Sequence, residues 1–231
     1  MGGIYSNLAK KFARELFELG GNVMSVSEDR EVTPAVQPAA AAAPIADPGP
    51  LGLAGFALTT FLLSAFNAHW MNGNSEGTAF LGYAFAYGGI AQLLAGMWEF
   101  RNKNVFGATA FSTYGAFWIG LYVWIQVVPK ALTTTGHDLA WILVAFAIFN
   151  TYMLLMSSQV NLAVFGVFLT LELTEIVLAV GNFTGVNDGI SQAGGYLGLV
   201  TALVAWYTSA AGVSNGIGGK IRLPVGRPLV S

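Results

Sequence analysis

DPGPLGLAGFALTTFLLSAFNAHW, residues 47–70, decides how the rest of this chain is read. Asp47-Pro48-Gly49-Pro50 is a Pro/Gly-rich break, and it runs straight into an apolar span that carries a few hydroxyls and one amide. A helix this apolar around its whole circumference belongs in a bilayer or a large core, not on the surface of a soluble fold. Glycines at close spacing, Gly52 and Gly55, let backbone approach another helix or a small polar solute.

Composition extends that reading to the whole chain. Of 231 residues, 55% are hydrophobic and 10% charged, where a soluble domain carries roughly 25% charged residues. The chain has no cysteine, which excludes a disulfide framework, a thiolate metal site and a cysteine nucleophile. A net charge of -2 argues against nucleic acid as a partner. The expected class is an all-α polytopic membrane protein.

Six runs approach the roughly 20 apolar residues that a bilayer crossing needs: residues 51–70, 79–99, 106–128, 139–158, 160–181 and 194–213. Short connections make neighbouring spans antiparallel, the tightest lying near Ser157-Ser158-Gln159. Lys10, Lys11, Arg14, Arg30, Arg101, Lys103, Lys220, Arg222 and Arg227 fall on one side and only Lys130 on the other. That asymmetry predicts cytoplasmic N- and C-termini. Trp70 and Trp141 fall near the outer interface, where indoles are enriched.

Three regions follow: an N-terminal extension over 1–46, a six-helix transport domain over 47–213 and a C-terminal tail over 214–231. In the extension, Ile4, Leu8, Phe12, Leu16 and Leu19 form one helical stripe, with Lys10, Lys11 and Arg14 elsewhere. That pattern suits an amphipathic helix over 4–19 lying on the inner leaflet. A start at Met24, with 1–23 a functionless upstream segment, is the competing reading. The Ala/Pro-rich stretch 32–46 reads as a disordered tether.

Three ordered motifs carry a family resemblance. Pro48-x-Pro50-Leu51-Gly52-Leu53, then Gly55-Phe56-x-Leu58-Thr59-Thr60, is similar to the signature of the acetate uptake transporter family (GPR1/FUN34/YaaH), which includes the succinate–acetate permeases. The family pattern begins Asn-Pro-Ala-Pro-Leu-Gly-Leu; here Asp47 and Gly49 replace Asn and Ala. Tyr87-Gly88-Gly89-Ile90-Ala91-Gln92, with Ala95-Gly96, Glu99 and Asn104-x-Phe106-Gly107, forms the second block. Thr109-Ala110-Phe111-Ser112-Thr113-Tyr114-Gly115-Ala116-Phe117-Trp118 forms the third. The resemblance implies a hexamer of six-helix protomers in the plasma membrane, each passing acetate and similar small carboxylates. It also implies an apolar constriction, which falls here on Phe56, Tyr114 and Leu171; the last is placed by aligning backward from Gly181-Asn182.

The residues make physical sense of that implication. No Lys or Arg lies within a span, so a dianion would be costly there and a small monocarboxylate easier. Candidate substrate contacts are the hydroxyls and amides of Thr59, Thr60, Asn67, Tyr87, Gln92, Thr109, Ser112, Thr113 and Tyr114, with backbone amides near Gly52 and Gly55. The competing reading is that such hydroxyls bond their own helix, and that Gly88, Gly89, Gly96, Gly194, Gly195 and Gly198 only pack. Asp47 would slow anions at the inner mouth unless it caps the first span, which is the expectation.

Glu172 and Glu175 stand mid-span, where carboxylates default to a functional hypothesis. Glu175 lies four residues after Leu171 and so shares its helix face; Glu172 is turned about 100° away, toward a neighbouring helix or subunit. Glu175 is therefore the candidate for linking flux to protons. Against this stands a pair of carboxyls hydrogen-bonded at a protomer interface. Glu99 is expected to pair with Arg101 and Lys103. His69 and His137 lack carboxylates at ligand spacing and make a poor metal site. No catalytic motif appears, no cofactor is implied, and no span holds a lysine for a retinal Schiff base. Ammonium or another small solute, or a membrane carboxylate sensor, remain alternatives to carboxylate passage.

Overall fold

Pro48, Gly49 and Pro50 start the first helix, α1 (Gly49–Asn67). Proline is tolerated at a helix start because its missing N–H has no intrahelical partner there. The Asp47 carboxylate accepts from the Gly49 amide at 2.9 Å in an Asx turn just ahead of the helix; Pro48 holds the N-cap position and no side chain caps it, so the capping expected of Asp47 is replaced by this turn. His69, at φ 61°, turns the chain out of α1 at the far end.

The computed structural model describes residues 14–15, 45–71, 79–127, 136–185 and 188–230. The chain divides into two units, Met1–Ala43 and Pro44–Ser231. In the first, only Arg14 and Glu15 are described, both helical and exposed. The expected amphipathic stripe, nearly all of the tether and Lys130 lie outside the described residues.

The second unit is all-helical among its described residues. After α1 come α2 (Ala79–Arg101), α3 (Val105–Val127), α4 (Gly136–Ser157), α5 (Leu162–Phe183) and α6 (Asp188–Gly216). Five of the six are long and apolar enough to cross a bilayer by length and hydropathy alone. The other, α3, has 23 residues but is diluted by Gly, Ser, Thr and Tyr. The chain is a multi-pass membrane protein.

Two elements depart from the sequence reading. The middle of α2, Ala84–Ala91, is wound as a π-helix. The last helix begins at Asp188, earlier than its apolar run, because its polar first turns pack: Gln192 Nε2 donates to the Ala68 carbonyl at 3.4 Å. Asn104 and Asn161 accept from the amides of Gly107 and Val164, capping α3 and α5.

α1 packs most extensively on α6, which packs on α5, which packs on α4; on its other side α1 meets the α2–α3 pair. Although α3 and α4 are consecutive, their backbones stand apart with a groove between them, bridged by side chains such as Tyr114, Phe117, Phe146 and Phe149. The tail past α6 is extended and tied down. The Ala163 amide donates to the Val225 carbonyl, the Leu229 amide to the Ser158 carbonyl, and Tyr207 Oη to the Pro224 carbonyl.

The tightest approach of α6 to the α1 backbone is at Gly195. A Cβ there would lie 2.4 Å from the Ala68 backbone nitrogen, which cannot rotate away. Gly195→Ala is expected to destabilise the protein by about 1–3 kcal/mol through overpacking. Its melting temperature in detergent, set against that of Gly120→Ala, where a Cβ would meet open space, checks this.

Candidate functional site

Three cavities lie in series along the protomer. One, of about 610 Å³, opens at the end holding His69, Met71 and Asp188. It shares Leu63, Asn67, Phe117, Leu143 and Leu178 with a small cavity of about 50 Å³. A third, of about 380 Å³, opens at the opposite end, between Asp47, Glu99, Asn104, Asn161 and Asn215. Arg101, Lys103, Lys220, Arg222 and Arg227 lie in or flank the connections at that opposite end, yet among the described residues no lysine or arginine lines any of the three cavities.

Phe56 from α1, Tyr114 from α3 and Leu171 from α5 meet in one buried cluster, 4%, 4% and 6% exposed. All three line the small cavity. Ala110 and Phe168 of the same cluster, with Leu53 and Phe106 packed against it, line the third cavity. The path is thus closed between the second and third cavities by side chains alone. The rings of Phe56 and Tyr114 meet edge to face, centroids 5.7 Å apart, and Phe117, Phe146 and Phe149 surround the same tyrosine. Edge-to-face pairs hold such rings by about 0.5–1.5 kcal/mol each beyond area burial.

The hydroxyl of Tyr114 is anchored on the far side by a residue the sequence reading missed. Tyr114 Oη donates to Asn150 Oδ1 at 2.9 Å. Asn150 Nδ2 donates to the Phe168 carbonyl at 2.9 Å and to Glu172 Oε2 at 2.6 Å. Glu172 Oε1 accepts from Thr151 Oγ1 at 2.8 Å. Every polar atom of the Asn150 side chain is therefore in use inside a fully buried position. The one signal in the sequence was an amide standing in an otherwise apolar run, where polar groups in membranes carry roles.

Glu175 reaches the same tyrosine. Its Oε1 lies 3.4 Å from Tyr114 Oη, while Oε2 is buried without a partner. A phenol has one proton. When Tyr114 spends it on Asn150, a hydrogen bond to Glu175 requires the carboxyl to carry its own proton. Glu175 lines the small cavity beside Leu171, whereas Glu172 turns to α4.

The remaining candidates scatter. Thr60 lines the small cavity, and its hydroxyl has no partner; Asn67 lines that cavity and the 610 Å³ one. Thr59 is spent on backbone, donating to the Gly55 and Tyr83 carbonyls. Ser112 and Thr113 face the α3–α4 groove. Tyr87, Gln92 and Thr109 line none of the three cavities in series. Gly52 packs on the Phe111 ring and Gly55 on the Tyr87 carbonyl, and the Gly52 amide donates to Pro48 within the helix. Glu99 is corrected outright: it is buried, accepts from Asn102 Nδ2 at 3.2 Å, and faces the third cavity with Asp47 rather than pairing with Arg101 or Lys103. Its backbone continues into a turn with Lys103 at φ 60°, which leaves both basic side chains exposed. Among the described residues no metal-ligand cluster occurs.

Known proteins share this architecture. The solved structure of the bacterial acetate channel SatP superposes with a TM-score of 0.72 at 33% identity, covering 79% of this chain and 100% of that one. Acetate permease A of Emericella nidulans is 36% identical over 211 residues, 84% of this chain and 70% of its own. The succinate-acetate/proton symporter SatP of Escherichia coli (strain K12) is 34% identical over 185 residues, 79% of this chain and 96% of its own. Ammonia transport outward protein 2 of Saccharomyces cerevisiae is 35% identical over 222 residues, 92% of this chain and 74% of its own. The family model for GPR1/FUN34/yaaH matches residues 29–226. On that span and these relatives, the chain belongs to the GPR1/FUN34/yaaH family.

Proposed function

We propose that the protein is a membrane transporter, not an enzyme, passing acetate and related short carboxylates along the three cavities of each protomer. The carrying observation is the buried Phe56–Tyr114–Leu171 cluster, an apolar seal along cavities that no described lysine or arginine lines. A short apolar neck between wet vestibules suits passage better than tight capture. The names of acetate permease A and the SatP proteins support the substrate class. Succinate is the less favoured cargo, because its second carboxylate would meet no fixed cation in the neck and two acids, Asp47 and Glu99, at the third cavity.

Flux is proton-linked through Glu175, which lies beside the neck and bonds to Tyr114. The cavity end bearing the basic residues faces the cytoplasm of a plasma-membrane protein, with both termini on that side. Protomers assemble as hexamers; half-buried Glu172 beside exposed Thr151 leaves a polar patch on the protomer's outer face, which assembly would cover.

Labelled-acetate uptake into proteoliposomes, with and without an imposed pH gradient, tests this reading. Saturable uptake that a gradient accelerates is the expected result, and Glu175→Gln is expected to leave uptake but remove the acceleration. An unchanged gradient response in Glu175→Gln would sink the proton-linked role. The acidic third-cavity mouth and the ammonia-transport relative favour a second reading, ammonium passage. Ammonium flux without acetate flux in the same vesicles would decide for it.

A further inference from the structure

The small cavity beside the neck carries more unspent hydrogen-bonding capacity than its packing needs. Three of its lining side chains bear a buried polar atom with no partner: Thr60 Oγ1, Trp118 Nε1 and Glu175 Oε2. Their residues are 5%, 3% and 4% exposed. A buried group without a partner is costly wherever it lies; Gln92 Oε1, Ser112 Oγ and Ser191 Oγ are such groups elsewhere, but here three surround one void of about 50 Å³. Other hydroxyls at the cavity show the contrast: Thr174 Oγ1 donates to the Thr170 carbonyl and contacts Thr201, and Tyr114 Oη is held by Asn150.

The three groups come from three helices and differ in chemistry. The indole N–H of Trp118 on α3 can only donate. The hydroxyl of Thr60 on α1 donates or accepts, and Glu175 on α5 does either according to its proton. Room for the indole depends on the π-wound stretch of α2. A Cβ on Gly88 would lie 3.0 Å from Trp118 Cδ1 and 2.5 Å from Thr59 Oγ1. π-Helical turns recur where a site needs such local room.

We propose that this cavity is the binding site for the carboxyl group of a short monocarboxylic acid, with Trp118 and Thr60 as donors to it and Glu175 sharing one proton with it. The assignment rests on the carboxylate reading above and names where that carboxylate stops. The pair formed is carboxyl and carboxylate, holding one proton and one negative charge between them. No cation is needed, and none lies there. A doubly ionised pair has no stabilising partner. Binding therefore requires that either the ligand or Glu175 arrive protonated.

The titratable groups facing Glu175 are Tyr114 from α3 and Glu172 from its own helix. The neighbouring faces of α4, α1 and α6 present the neutral Asn150, Thr60 and Thr201. A volume of about 50 Å³ takes the carboxyl end of the acid, and the rest of the ligand lies toward the 610 Å³ cavity, which shares Leu63, Asn67, Phe117, Leu143 and Leu178 with it. The site is thus selective by charge.

The test uses the full-length protein in proteoliposomes, with the half-saturation for labelled acetate as readout. Thr60→Val removes one donor at nearly constant shape, and Trp118→Phe removes the other together with part of the indole's volume; each is expected to raise half-saturation about tenfold or more, the scale of a hydrogen bond to a charged group. Thr60→Ser, which keeps the hydroxyl, is expected to restore the wild-type value, and this separates a donor role from a packing role. Half-saturation in the wild type should rise with pH, and in Glu175→Gln it should not. Formate and propionate should compete with acetate. Normal half-saturation in both Trp118→Phe and Thr60→Val, with acetate flux intact, overturns this site but leaves the transport reading standing. Absence of acetate flux from the wild type overturns the transport reading itself.

Discussion

Phe56→Ala is expected to raise the flux of carboxylates longer than acetate by roughly 10–100-fold while changing acetate flux far less. In the closed protein, Phe56 fills the cluster with Tyr114 and Leu171, and nothing but these side chains separates the small cavity from the third one. A solute slightly wider than the resting gap must push packed side chains off their rotamers. That costs about 1–3 kcal/mol for extra methylenes, and each 1.36 kcal/mol is tenfold in rate. Removing the ring removes that barrier for long acids, while acetate, which passes the native neck, gains little. Competition among labelled acetate, butyrate and hexanoate in proteoliposomes reads the change directly. Phe56→Trp is expected to act in the opposite direction and suppress acetate flux. Equal selectivity in wild type and Phe56→Ala would show that the neck lies elsewhere along the path.

Asn150→Leu is expected to destabilise the protein by about 3–5 kcal/mol, through a mechanism that is not a cavity. Leucine nearly matches the volume, but it strips partners from Tyr114 Oη, the Phe168 carbonyl and Glu172 Oε2 at once. Three hydrogen bonds are lost, the one to the Glu172 carboxylate at about 1.5–3 kcal/mol and the two neutral ones at about 0.5–1.5 kcal/mol each, with relaxation recovering part of the sum. The second consequence is functional. Tyr114 loses the acceptor that fixes its hydroxyl, and its proton becomes free for Glu175. Any variant that survives should therefore show an altered pH dependence of flux, a change that a purely structural asparagine would not cause. Melting temperature in detergent gives the first effect, and flux against pH gives the second. A melting point within a degree of wild type would mean that the network contributes nothing.

How much of this was legible in the chain depends on the kind of residue. Phe56 and Tyr114 were found because they stand inside motifs, and Leu171 because it lies a counted distance before Gly181-Asn182. Glu175 was placed on the neck side by simple helical arithmetic from Leu171, and the cavity lining agrees. Asn150 stood in no motif, and its partners lie on α3 and α5, well separated in sequence. Trp118 was visible only as the last letter of a motif, because an unpartnered indole N–H is a property of its surroundings. Conversely, Thr59 looked like a free donor until the Tyr83 carbonyl of α2 was seen beside it. Glu99 looked like an ion-pair partner because Arg101 and Lys103 are its neighbours in sequence. Arg101, two residues on, is turned about 200° from Glu99, and Lys103 lies beyond the end of the helix in a turn at φ 60°, so neither shares its face.

The sequence by itself determined that this chain crosses a membrane, that it does so through six helical runs, and where the first begins. Those features follow from local terms: apolar length, proline's missing donor and the scarcity of charge. Only the tertiary structure decided which polar groups are spent and which are left over. Gly52 and Gly55, which in the opening segment promised amides for a solute, serve the packing of α1 on Phe111 and on the α2 backbone instead. Of the six buried side-chain atoms left unpaired among the described residues, three, on Thr60, Trp118 and Glu175, are gathered from three helices around one cavity. Hydrogen-bond satisfaction is a property of the packed whole, and no window of sequence contains it.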